Sequence, residues 1–275
     1  LSLKAGGHMV YLALLHCYSP VESLGDTSMR NLLYAFGAGF LAFAILYFPN
    51  VLRFGESMVP AFIVVLATYF VLARKTFKEI EKIFTTAASY LQSMPPKFEL
   101  AIKTMETARV HAPVQFGVAS QIDNQIGVMY FLQKQFNKSM PYLEKSLQFG
   151  HWMGGAMLAV IYYKKKKHDQ MRETMQTVVK KAKKQTLAWN LYAYLLCQIG
   201  ERDAAQSILI EALKKTKDDP KIKDALNQLQ NGKKIKMKQY KEQWYQFHLE
   251  NPPKQYQQTQ MGGGRATKAQ RRGRW

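Results

Sequence analysis

At 275 residues the chain can hold one large or two modest domains. With 39 Lys and Arg against 19 Asp and Glu, the formal charge of +20 points to anionic partners: phospholipid headgroups, nucleic acid or an acidic protein. Only Cys17 and Cys197 occur, so a disulfide framework and a paired-cysteine metal site are excluded, and a reducing compartment fits.

In chain order, Gly6-Gly7-His8-Met9 has the look of a cloning remnant, and residues 1–8 carry no weight. The apolar run from His8 to Tyr18 is too short to span a bilayer, so a short interfacial helix is expected within segment 1–30. Two longer apolar runs follow, Asn31–Leu52 and Ser57–Ala73, with no acidic or basic residue in either. A hydrocarbon core of about 30 Å needs roughly 17–25 such residues per helix. With only Arg53–Glu56 between them, a transmembrane hairpin over residues 31–73 is expected.

Charge orients that hairpin. Arg30 precedes it, while Arg74, Lys75 and Lys78 follow it; Arg53 and Glu56 in the turn cancel. Both ends therefore belong on the cytoplasmic side, and a bacterial inner-membrane protein with a cytoplasmic soluble domain is expected. Pro49 and Pro60 fall near the turn end, where lost backbone bonds are most easily re-satisfied. Gly37 and Gly39, with Ala35, Ala38 and Ala42, offer a small-residue face for close helix packing. Tyrosines aside, neither run carries an ionisable group, which argues against an ion or proton pathway.

Beyond the hairpin the pattern is helical and repeated. Thr186–Leu213 carries Trp189, the small Ala193, Gly200 at a turn, then Ala205, Leu209 and Ala212. This spacing resembles the tetratricopeptide repeat (TPR), a 34-residue helix–turn–helix unit. One period back, Trp152–Gln185 places Ala159, Tyr162, Met171, Met175 and Val178 at the matching positions. Ser120–His151 places Ile126, Gly127, Tyr130, Phe136, Ser139, Leu143 and Ser146. Lys82–Gln115 places Ser89, Ala101, Met105, Ala108 and Pro113, with Pro95-Pro96 between its two helices.

The resemblance implies an all-α chain: two transmembrane helices, then over 74–250 a TPR-like solenoid of about 3–4 helix pairs with capping helices. In such an array the small residues let paired helices approach, and large ones fill the space between neighbouring pairs. Lys221–Gln230 reads as a capping helix, with Asp218-Asp219 capping its start and Asn231-Gly232 ending it. A further basic, aromatic helix is expected over Lys233–Leu249, and a disordered basic tail over 251–275.

The resemblance also implies a protein-binding groove on the first helix of each pair. Its residues fall on Gln121, Asn124, Val128, Phe131 and Leu132; on Met153, Val160 and Tyr163; and on Leu187, Asn190, Tyr194 and Gln198. Their aromatic, apolar and amide character suits a peptide or helix with apolar anchors. Lys164, Lys165, Lys166 and Lys167, with Arg265, Lys268, Arg271, Arg272 and Arg274 in the tail, suit an anionic surface, lipid before RNA.

Catalytic signals are missing. The six histidines form no i, i+4 pair, and no phosphate cradle, dinucleotide loop or nucleophile elbow occurs. The expectation is therefore no enzyme, no cofactor and no metal. The function expected is a membrane-anchored adaptor that binds a partner protein within a membrane assembly. The alternative is a membrane-tethered RNA- or ribosome-contacting factor using the lysines and the tail.

Overall fold

The computed structural model describes residues 30–49, 53–115 and 117–253. The interfacial helix expected near the start, and the basic tail from Lys254 onward, lie outside the described residues. Among the described residues every regular element is helical.

The first apolar run forms α1 (Arg30–Tyr47). The second forms α2 (Phe54–Gln92), 39 residues that carry Pro60 near their start. Helix α2 does not stop at Ala73. No glycine or proline interrupts Arg74–Glu81, and good helix formers dominate there. Past Ala73 the helix turns amphipathic: Thr76, Ile80, Ala87 and Ala88 are buried, whereas Arg74, Lys75, Lys78 and Lys82 are exposed.

Shorter helices follow: α3 (Phe98–Thr107), a 3₁₀ turn (Ala108–His111), α4 (Val118–Leu132) and α5 (Phe136–Ser146). Then come α6 (Trp152–Lys164), α7 (His168–Lys181), α8 (Thr186–Gln198), α9 (Arg202–Thr216) and α10 (Pro220–Gln230).

The turns have a common chemistry. Lys134, Lys166 and Gly200 adopt left-handed backbone at φ 60°, 58° and 91°. At each, the next amide bonds back across the helix end: Gln135 to Tyr130, Lys167 to Tyr162 and Glu201 to Leu196, all at 2.9 Å. This satisfies carbonyls that the helix end would otherwise leave open. The three turns recur roughly every 33 residues, close to the period of the repeat pattern. Asp219 caps α10 as expected, accepting the Lys221 amide proton at 2.8 Å beside Pro220.

Packing separates the described residues into two compact units, one of 30–91 with Lys97–Gly154 and one of Gln92–Pro96 with 155–253. In the first, Ile80, Ala101, Met105, Ile122, Ile126 and Met129 make a core. Helix α4 packs closely on α5, because a Cβ on Gly127 would meet Leu143 Cδ2 at 2.6 Å. Ser139 Oγ bonds to the Gly127 carbonyl at 2.7 Å in the same contact. Arg109 ties the 3₁₀ turn to α4 by an ion pair to Asp123 at 2.6 Å.

In the second unit α8 packs on α9 and α10. Ala193, Ala205 and Ala212 are fully buried there, together with Trp189 and Leu209. The helix expected over Lys233–Leu249 is not formed. In its place stand an extended stretch, a 3₁₀ turn (Met237–Tyr240) and a single-turn helix α11 (Glu242–Tyr245). Met237, Tyr240, Trp244 and Phe247 are buried at helical spacing, but Ile235, two residues before Met237, is buried as well, and Lys241 interrupts the helix at φ 49°. A single helix would point residues two apart in opposite directions.

Candidate functional site

Two surfaces are candidates, one apolar and one on the first helices of the pairs. The apolar one covers α1 and the first half of α2. Phe40 is 69% exposed, Phe62 63% and Phe70 64%, and Leu33, Leu41, Ile45, Ile63 and Leu66 are exposed with them. Only 17% of each apolar window is buried, although both helices are long enough to cross a membrane. Soluble monomers rarely show so broad an apolar face to water. The two helices touch through small residues: Ala35 is fully buried, and a Cβ on Gly39 would run into Val65. Gly37 faces open space, so the close contact uses Gly39 but not Gly37.

At the open end of the two helices sits a buried polar latch that no local pattern announced. Asn31 Nδ2 donates to Thr76 Oγ1 at 3.2 Å and to Gln115 Oε1 at 3.0 Å. Gln115 Nε2 donates to the Tyr69 hydroxyl at 2.8 Å. The Asn31 amide donates to the Val114 carbonyl at 3.3 Å. The amide of Asn31 at the head of an uncharged apolar run is the one sequence signal that could have pointed there.

The expected groove residues divide by burial. Asn124, Phe131, Val160, Leu187 and Asn190 are buried and have no surface to offer a partner. Asn124 Nδ2 donates to Ser146 Oγ and to the His151 carbonyl, each at 3.3 Å, inside a cradle formed by Gly150 and Gly154. Phe131 packs edge-on against Phe136 at 5.2 Å. Gln121, Val128, Leu132, Met153 and Tyr163 keep partial exposure, and Gln198 is exposed.

On α8 the groove face is covered by the chain itself. Asn190 Nδ2 donates to the Tyr240 hydroxyl at 2.7 Å, and Tyr194 packs edge-on against Trp244 at 4.8 Å. Lys164 Nζ donates to the His248 carbonyl at 2.8 Å. Burial pushes both Tyr194 and Tyr240 up to about 12. This strap of residues 233–250 went unseen in the sequence, because Met237, Tyr240, Trp244 and Phe247 recur at spacings of three and four that a single helix would also give.

Lys164, Lys165, Lys166 and Lys167 are all exposed around the α6–α7 turn. Arg265, Lys268, Arg271, Arg272 and Arg274 lie outside the described residues. Among the described residues no group of three His, Cys, Asp or Glu gathers to hold a metal. Burial pushes the Cys197 thiol up, away from nucleophilic thiolate. Compared with known protein families, curated proteins and solved structures, the chain matches none.

Proposed function

We propose that this protein is a membrane-anchored scaffold whose helix pairs form a TPR-like solenoid and hold a partner protein at the cytoplasmic face. The observation that carries the reading is the exposed apolar face of α1 and α2, together with the passage of α2 from that face into the packed helices. Exposed Arg30, Arg74, Lys75 and Lys78 at the open end support the cytoplasmic orientation. With α8 covered by the strap, we put the partner-facing stripe on α4. There Gln121, Val128 and Leu132 stay partly exposed, and their spacing of seven and four residues keeps them on one face.

The experiment is crosslinked affinity capture from membranes washed at alkaline pH, comparing the native chain with Val128→Arg. The native chain stays in the washed membrane and captures a stoichiometric protein; Val128→Arg stays in the membrane and captures roughly tenfold less, the effect of losing one interface anchor. Extraction of the native chain into the wash removes the anchor from the reading. Equal capture by both chains removes the α4 stripe. The rival reading, an RNA- or ribosome-contacting factor, rests on Lys164–Lys167 and the tail, and no described contact favours it.

A further inference from the structure

We infer that the segment Ala112–Gln115 lies in the phospholipid headgroup layer, a third contact with the bilayer beside the two helices. The inference rests on the membrane reading above and adds a depth to it. Helix α2 serves as a ruler with about 1.5 Å per residue along its axis. At one end of the segment, His111 Nδ1 lies 3.7 Å from Glu79 Oε2, well past the apolar run. At the other end, Gln115 reaches the Tyr69 hydroxyl at 2.8 Å, one turn inside the point where the apolar run ends at Ala73. From Glu79 to Tyr69 the descent along α2 is about 15 Å. Helical side chains lean toward the helix N-terminus, so the Tyr69 hydroxyl lies no shallower than its backbone.

A second ruler agrees. Asn31 is the first residue of the other apolar run, and its backbone amide bonds to the Val114 carbonyl at 3.3 Å. Both helices therefore place residues 114 and 115 at the level where apolar side chains give way to charged ones. The chemistry of the segment suits that level. Ala112, Pro113, Val114 and Gln115 carry no charge, and the first three are half-buried. Around the same level Arg30, Arg74 and Lys75 are exposed, which matches lipid phosphates. The Asn31–Thr76, Asn31–Gln115 and Gln115–Tyr69 bonds hold the segment down from beneath, so its depth is set by the hairpin. Helix α4 starts at Val118, a few residues on, and is thereby held against the membrane surface.

The test uses the full chain with Cys17 and Cys197 replaced by serine, reconstituted in phosphatidylethanolamine–phosphatidylglycerol bilayers. Single cysteines at Phe40, Val114 and Val110 carry a nitroxide, and accessibility to oxygen is compared with accessibility to a water-soluble nickel chelate. Val110 is 73% exposed and precedes His111, on the water side. Expected is lipid character at Phe40, water character at Val110, and at Val114 an oxygen-to-nickel accessibility ratio on the order of threefold above Val110, since water thins toward the bilayer core while burial in protein lowers both accessibilities alike. Equal oxygen-to-nickel ratios at Val114 and Val110, with Phe40 in lipid, overturn the inference and leave the hairpin standing. Nickel access at Phe40 overturns both. If Val114→Cys lowers helicity by circular dichroism, Ala112→Cys takes its place with the same expected and overturning results.

Discussion

Asn124 and Asn190 look alike in the repeat pattern, each falling on the expected groove face of the first helix of a pair. Packing gives them different work. Asn124 is walled in by Gly150 and Gly154 and holds the α5–α6 connection through Ser146 and His151. Asn190 faces the strap and captures Tyr240, while its own Oδ1 is buried without a hydrogen-bond partner. Glycine at 154 is required by space, because a Cβ there would overlap the Asn124 amide. Gly154→Ala is therefore expected to cost about 1–3 kcal/mol by overpacking. A lowered midpoint in thermal melts followed by circular dichroism checks this; an unchanged midpoint would show that the cradle yields freely.

Among the elements, the strap depends most on side chains distant in sequence. Trp244 and Phe247 are fully buried, and Tyr240 is 6% exposed. Burial favours neutral Tyr194 and Tyr240 in the folded state, raising both from the ordinary value near 10 to about 12. A raised folded pKa means stability is fully present below pH 10 and is lost as pH rises toward 12. Amide exchange over residues 233–250 should therefore quicken between pH 10 and pH 12, beyond the intrinsic base-catalysed rise. Tyr240→Phe should remove its share of that change. The same quickening in Tyr240→Phe and Tyr194→Phe would detach the pH effect from these hydroxyls.

At the scale of the whole molecule, the proposed membrane anchor implies a sidedness. The turn residue Arg53 and the α8 end residue Gln198 are both exposed, and the proposed span separates them. In sealed spheroplasts a membrane-impermeant maleimide is expected to label Arg53→Cys without lysis, and Gln198→Cys only after lysis. Both carry Cys17→Ser and Cys197→Ser. The reverse pattern would invert the topology drawn from charge, and labelling of both without lysis would remove the span.

Local signals were legible from the residues alone. Apolar length and composition marked α1 and the start of α2, Gly200 marked a turn, and Asp219 marked the start of α10, because each acts through neighbours a few positions away. The small residues Gly127, Ser139 and Ala193 were readable too, since helical period places them on a face that must approach another helix. That same period says a face is covered but never by what. Only the tertiary structure joined Asn31 to Gln115 across 84 positions, carried α2 past Ala73, and laid Tyr240 and Trp244 over Asn190 and Tyr194. Those contacts depend on which distant surfaces fit together, and shape complementarity between remote segments leaves no periodic trace in either one.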